Sequence, residues 1–299
     1  MQVIFLGTSA MVPTKDRNHF SFYLSYKNEG LLFDCGEGTQ RQIKIAGIKP
    51  SKITRIFISH FHGDHILGLP GLLQTLSASQ YEGKLRIYGP CGIEKMIRSI
   101  MEIFVYDNQL EIEINEVEPL KNNPFIKTQD FNIEAYELDH RIYCLGYRFI
   151  ENDRLRIDLV KAKKLGMSSG PLLGRLQRGE TITHKGKKIT PDDVAYSVKG
   201  KKIGYIADTI MTDNCLKIAQ DADILISEST HASKDDDKSR QYKHFNARQA
   251  AYVAHQANAK TLVLTHFSQR YKDIDVVLND AKDVFPNTIA SYDFMKIKL

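Results

Sequence analysis

The sequence predicts an α/β protein, a four-layer αββα sandwich in which two sheets pack face to face with helices on the outer sides. Three observations predict it. Short strand patterns alternate with helical patterns along all 299 residues. They form two series, each mixing hairpin-like strands with buried ones. A basic segment, residues 151–202, separates the series and keeps the period of neither. There is no repeat at fixed period and no low-complexity tract that would point to a solenoid or a disordered chain.

In the first series MQVIFLG, SFYLSY, LLFDCG, ITRIFISH and LRIYGP read as strands, and helices follow GEGTQ, GDH and CGIEK. The middle adds the strands LEIEINEV, FNIEAYEL and YCLGYRFI. Beyond the basic segment come the strand KKIGYIADT, a helix over DNCLKIAQD and the strand ADILISES. The acidic run KDDDKS at 234–239 reads as a solvated loop. In NARQAAYVAHQAN, Ala250, Val253, Ala254 and Ala257 share one helical stripe. The strand TLVLTH, a further helix and the strand IASYDFMKI complete the second series.

Hydrophobic content of 42% and charged content of 26% suit a soluble globular chain with a sizeable core. No apolar run approaches the ~20 residues of a membrane span, so no membrane association is expected. The sequence starts at once on a strand pattern, so neither a signal nor a transit peptide is expected. Cys35, Cys91, Cys144 and Cys215 are far apart and form no C-x-x-C pair. Reduced thiols and a cytoplasmic location are the expectation.

The net charge of +5 is unevenly placed. Residues 151–202 hold thirteen Lys/Arg against six Asp/Glu, so this segment carries the whole basic excess. A specific anionic partner accounts for that better than diffuse solubility charge, although a lysine-rich solvated insertion would look the same. Within it DLVKAKKLG has helical spacing, whereas MSSGPLLGRLQRGETITHKGKK is rich in glycine and cations without a sustained period. The expectation is one domain over 1–299 with residues 151–199 inserted as a flexible basic arm.

The chemistry concentrates in SHFHGDHILGLPG, where His60, His62, Asp64 and His65 sit between a β-branched strand and an apolar helix. Imidazole and carboxylate together are ligands for zinc and similar borderline metals. A metal needs partners from elsewhere in the fold. His140, Asp208 and His266 each follow an apolar or β-branched stretch that would anchor them rigidly. His19, His184, His231 and His255 lack that context and read as ordinary histidines. Seven ligands exceed one tetrahedral zinc. Two metals fit, one held by His60, His62, His140 and Asp208, the other by Asp64, His65, His266 and the same Asp208. Two-metal sites of this type are hydrolytic.

The order His-x-His-x-Asp-His, then His, Asp and His at strand ends, resembles the metallo-β-lactamase superfamily. FLGTSAMVPTKDRN, FDCGEGTQRQ and GPLLGRLQRGE are similar, within it, to the ribonuclease Z family, and the likeness spans nearly the whole chain. The resemblance implies the metallo-β-lactamase fold and a zinc-dependent endoribonuclease that removes the 3′ trailer from precursor tRNA. The tRNA would keep a 3′-hydroxyl and the trailer a 5′-phosphate. It implies two Zn²⁺ per subunit, other divalent metals remaining open, with Asp64 also acting as base. The family's His-Glu-Ala-Thr motif is matched by SEST, which aligns Glu228 while Ser227 and Ser229 depart. Its His-Ser-Thr motif is matched only at His244, followed by Phe245 and Asn246. His244, oriented by Glu228, would protonate the departing ribose 3′-oxygen.

The arm of that family grips tRNA through a Gly-Pro motif. Gly170 and Pro171 match it, with Lys163, Lys164, Arg175 and Arg178 as the cations that would track the backbone. A homodimer is also implied. The rival readings are a small-molecule phosphodiesterase or other hydrolase of the same superfamily, which would not need the arm, and a non-catalytic RNA-binding relative. The latter would be expected to have lost ligands, and none is missing.

Overall fold

The computed structural model describes residues 1–106, 110–119 and 121–299. Strands β1 (Gln2–Gly7), β2 (Ser21–Tyr26) and β3 (Glu29–Phe33) form an antiparallel meander, with Val3 opposite Leu24 and Leu24 opposite Leu31. The chain then passes through α1 (Thr39–Ile45) to β4 (Arg55–Phe57). It continues through α2 (Gly63–Ile66) and α3 (Leu69–Ala78) to β5 (Leu85–Gly89), and through α4 (Ile93–Ile103) to β6 (Ile112–Glu116). From β3 to β6 the pairing is parallel.

Both faces of this sheet are covered, which explains why its strands read as nearly unbroken apolar runs. Leu32, Ile56 and Ile87 face outward onto Leu72, Leu73 and Leu76 of α3. The alternate positions turn inward, where Phe33 stacks on Phe22 at 4.6 Å and on Phe57 at 4.8 Å. Strand β4 is shorter than the run ITRIFISH because Ser59 leaves the ladder. Its N–H and hydroxyl both donate to Asp34, at 2.7 and 2.8 Å. That departure turns His60 into the loop.

Next come β7 (Ile126–Lys127), β8 (Phe131–Leu138) and β9 (Cys144–Glu151). The basic segment follows. It contains β10 (Arg154–Ile157), α5 (Leu159–Lys164), α6 (Pro171–Gln177), β11 (Ile182–His184), β12 (Lys187–Ile189), α7 (Pro191–Val194) and β13 (Ala195–Val198). With Lys127–Asn132, residues Ile150–Lys201 make a compact unit of their own. Two antiparallel pairs, β10–β13 and β11–β12, frame it. Its core is small: Ala162, Met167, Leu173, Leu176, Ile182 and Val194 are among its buried side chains. A stretch without sustained period thus folds, because its elements are too short for a period to show. Local signals hold them. Asp158 accepts from Val160 N and Lys161 N at the start of α5. Lys185 and Gly186, at φ 50° and 76°, make the two-residue turn between β11 and β12. Gly170 lies at φ 117°, a conformation that favours glycine, and Pro171 opens α6.

The last part contains β14 (Lys202–Ile206), α8 (Asp213–Ala219), β15 (Ile224–Glu228), α9 (Asp236–Tyr242) and α10 (Ala247–Gln256). It ends with β16 (Leu262–Thr265), α11 (Asp275–Lys282), β17 (Thr288–Ala290) and β18 (Lys296–Lys298). The second sheet has the order β17-β16-β15-β14-β9-β8-β7, parallel from β14 to β17, and the first has the order β18-β1-β2-β3-β4-β5-β6. Between the sheets Tyr147 meets Phe57 at 5.6 Å, and Tyr205 meets Phe22 at 5.3 Å. Helices α8, α10 and α11 pack on the second sheet as α3 does on the first. The arrangement is the four-layer αββα sandwich.

Two sequence expectations fail here. KDDDKS is not a loop but a 3₁₀ turn running into α9. Asp236 and Asp237 occupy the first turn, where negative charge meets the positive end of the helix dipole, and Asp236 pairs with Arg240 one turn on. IASYDFMKI is not one strand but two, β17 and β18, in different sheets. The break is pinned by Asp293, which accepts from the Thr8 hydroxyl and from Asn18 N. Among the described residues no helix is long and apolar enough to cross a membrane.

Candidate metal centre and cleft

The site lies where parallel strands of both sheets end, the place where open α/β sheets leave a crevice. His60 follows β4, His62 caps α2, and Asp64 and His65 lie within α2. Asp208 stands two residues past β14, Glu228 ends β15, and His266 directly follows β16 at φ 59°. His140 lies just past β8, where Asp139 N donates to the Thr209 hydroxyl beside Asp208.

Ligand atoms converge in two groups. His60 Nε2 is 3.1 Å from His62 Nδ1, which is 3.2 Å from His140 Nε2. Asp208 Oδ2 lies 3.6 Å from His60 Nε2. In the second group His65 Nε2 is 3.1 Å from His266 Nε2, and Asp64 Oδ2 is 3.2 Å from the same His266 nitrogen. Asp208 Oδ2 reaches this group too, 3.5 Å from His65 Nε2. One carboxylate therefore stands between both sets. Burial, and then neighbouring histidines, hold His60 and His62 below the usual imidazole range, so each keeps a lone pair. Asp208 Oδ1 is buried without a hydrogen-bond partner among the described residues. Packed lone pairs and an orphaned carboxylate oxygen make a donor set that fits divalent metal ions.

Outer partners fix the tautomers. Asp34 Oδ2 receives His65 Nδ1 at 2.8 Å, Ser59 Oγ at 2.8 Å and the Tyr205 hydroxyl at 2.6 Å. With Nδ1 donating to Asp34, His65 presents Nε2 to the centre. His140 Nδ1 donates to the Lys243 carbonyl at 2.9 Å, and Met11 N donates to Asp64 Oδ2 at 2.7 Å. Sequence reasoning missed Asp34, although it directly follows the apolar run of β3 and the strand-end rule that selected Asp208 selects it equally.

His244 Nδ1 lies 3.2 Å from both oxygens of Glu228, and 3.8 Å from Asp208 Oδ2. Burial opposes a charge on this imidazole, but Glu228 and then Asp208 outweigh it and raise its pKa to about 9. Glu228 also accepts from Thr209 N at 2.7 Å and from the Thr230 hydroxyl at 2.6 Å. The departures from the motif lie outside this network. Ser227 and Ser229 hydroxyls donate to the backbone carbonyls of Glu228 and Thr265, Phe245 is buried, and Asn246 caps α10. His231 lies in the cleft wall, held down to about 4 by burial and by His244. His19 contacts the Met11 carbonyl, and His255 is exposed on α10.

The groups open on a cleft of about 370 Å³, walled further by Met11, Val12, Arg141, Tyr242 and Arg270. Within the arm unit, Lys163 and Lys164 border a hollow of about 670 Å³ shared with Lys161, Lys185, Lys187 and Lys188. Sequence reasoning named only the first two; Lys161 shares their turn of α5, and the other three come from the β11–β12 hairpin. Arg175 and Arg178 lie elsewhere on the unit and both donate to Glu180, at 2.8 and 3.1 Å.

Residues 1–157 match the family model described as Anti-Pycsar protein Apyc1. That stretch stops before Asp208, Glu228, His244 and His266, so it spans only the first half of the site. A curated relative from Methanothermobacter thermautotrophicus, named ribonuclease Z, is 42% identical over 300 residues, covering 100% of this chain and 97% of its own. Among solved structures, human tRNase Z, short form, is 29% identical with a TM-score of 0.73, covering 100% of this chain and 99% of that one. The metallo-β-lactamase fold protein YhfI from Bacillus subtilis is 19% identical, with a TM-score of 0.71 over 99% of this chain and 98% of that one, and shares the fold.

Proposed function

We infer the activity from one premise: the chain belongs to the ribonuclease Z family. It is a hydrolase of the metallo-β-lactamase fold that acts on RNA phosphodiester bonds and removes the 3′ trailer from precursor tRNA. The observation that carries this reading is the convergence of seven ligand atoms beside the Glu228–His244 pair on one cleft.

His60, His62 and His140 would hold one of two Zn²⁺ per subunit and Asp64, His65 and His266 the other, with Asp208 shared; the ions would supply Lewis acidity and acidify a water. Asp64, its Oδ2 fixed by Met11 N, takes a proton from the attacking water. His244 Nδ1 donates to Glu228, which leaves Nε2 to protonate the departing ribose 3′-oxygen. The tRNA then ends in a 3′-hydroxyl and the trailer begins with a 5′-phosphate.

The arm binds tRNA through its cations, Lys163, Lys164, Arg175 and Arg178, with Gly170 and Pro171 shaping the start of α6. The protein works as a homodimer, an assignment that light scattering of an active monomer would remove. A cytoplasmic location is supported by four free cysteines, three of them buried. The small-molecule alternative is not adopted, since the full-length relative is a ribonuclease.

The test is metal analysis of the purified protein together with cleavage of a precursor tRNA, both product ends being mapped. Two ions per chain and a single cut at the trailer junction are expected. A protein that cleaves bis(p-nitrophenyl) phosphate but leaves precursor tRNA intact would overturn the RNA assignment.

A further inference from the structure

Thr230 lies two residues past the end of β15 and is buried, 5% exposed. Its hydroxyl oxygen touches three groups: Glu228 Oε2 at 2.6 Å, His266 Nδ1 at 3.0 Å and His244 Nδ1 at 3.3 Å. A hydroxyl has one proton and two lone pairs. The ionised carboxylate can only accept, so the proton points to Glu228. The lone pairs are then free only to accept, and His266 must carry its proton on Nδ1 to meet them. His266 Nε2 is thereby left bare, and that is the atom facing Asp64 and His65. The other candidate acceptor, Asp208 Oδ1, lies 3.3 Å away but forms no hydrogen bond.

We propose that Thr230 is a positioning residue that couples the ligand His266 to the Glu228–His244 pair through the direction of one hydroxyl proton. The same contact serves two tasks. It fixes the His266 tautomer that binds metal, as Asp34 does for His65. It also anchors Glu228, whose two oxygens hold His244 at 3.2 Å. The second group and the acid are thus one network, whereas behind the first group His60 Nδ1 meets Ser59 Oγ at 3.0 Å and His140 Nδ1 meets the Lys243 carbonyl, neither of them a contact of Thr230.

This inference rests on the metal-dependent reading above, and its test separates the two. Thr230→Val keeps the shape and removes the hydroxyl; Thr230→Ser keeps the hydroxyl. The metal-free protein is titrated with Co²⁺ and followed by visible absorption, and precursor tRNA cleavage is measured in parallel. In Thr230→Val one of two binding steps should weaken by about 10–100-fold while the other is unchanged. Its kcat should fall with KM within about threefold, and Thr230→Ser should restore both readouts. In a Glu228→Gln background, adding Thr230→Val should lower kcat by less than about threefold further, because the network is already broken.

Parent-like Co²⁺ binding and turnover in Thr230→Val would overturn the inference and leave the reading intact. Equal impairment of the Ser and Val variants would assign Thr230 to packing, and multiplicative losses in the double variant would make the two tasks independent. A parent protein that takes up no Co²⁺ would remove the reading and this inference with it.

Discussion

In the body His60, Asp64, His65, Asp208 and His266 are each at most 5% exposed, and each lies within 4 Å of at least one other. In the arm Lys163, Lys164, Arg175 and Arg178 are open to solvent. The two regions hold polar groups for different ends. A metal centre needs lone pairs fixed in direction, so His60, His65, His140 and His266 each have a hydrogen-bond partner behind them, and every ligand but the half-buried His62 is buried. Recognition of a folded polyanion needs charge density along a path, and it tolerates cations that move. Substitutions in the body should therefore act nearly all-or-none, and those in the arm by degrees.

The largest effect is expected from Asp208→Ala. Its Oδ2 reaches both ligand groups, so both should weaken together. Cleavage of precursor tRNA and of bis(p-nitrophenyl) phosphate should both fall by more than the roughly 10²–10⁴-fold that loss of a general acid causes. Metal analysis decides the matter. A variant keeping one high-affinity ion would contradict the shared carboxylate.

His244→Ala comes next. It should keep its metal and bind precursor tRNA normally, yet cleave it about 10²–10⁴-fold more slowly. On bis(p-nitrophenyl) phosphate the loss should be much smaller, because nitrophenolate leaves without a proton. Equal losses on both substrates would take the acid role away from His244.

The contrast also explains what could be read from sequence. Ligands such as His60, His62 and His65 announce themselves, because six residues of one loop must supply several of them. Asp208 and His266 show themselves by ending apolar strands. Thr230 reaches His266 across 36 positions and the Lys243 carbonyl reaches His140 across 103, and nothing in a linear pattern marks such contacts. In the fold, the long alternating strands were legible. Of the arm's elements only α5, in DLVKAKKLG, showed, since helices and strands of three to seven residues repeat a period too few times to stand out. What showed besides was composition: the lysines could be counted but not placed.

Replacing the arm tests the other side of the comparison. Glu151 N bonds the Lys201 carbonyl at 2.8 Å, so a short glycine linker can replace residues 152–200 without moving those ends. A shorter deletion, such as 154–188, would remove β10 and leave β13 without its pair. The replacement should lower kcat/KM on precursor tRNA by about 10²–10³-fold at moderate salt and flatten its salt dependence. Hydrolysis of bis(p-nitrophenyl) phosphate should be spared. Undiminished tRNA cleavage would mean that the cations serve some other purpose.

The smallest effect sharpens the comparison most, since it repeats the chemistry of the largest. Glu180 is an arm carboxylate that accepts from Arg175 and Arg178, and the hydrogen bond from Arg175, followed by that from Arg178, holds its pKa below the usual range. All three side chains are more than a third exposed, so these pairs are screened and weak. A phosphate approaching either arginine must displace Glu180 and approach its negative charge. Glu180→Gln should therefore tighten precursor tRNA binding, though by less than about fivefold, and steepen the slope of log affinity against log salt by about one. Removing a carboxylate from the metal centre destroys function, while removing this one should improve binding, because the first orients its neighbours and the second only competes for them. Weaker binding by Glu180→Gln would show that Glu180 orients the two guanidinium groups, and the arm would then be a built site like the body rather than a field of charge.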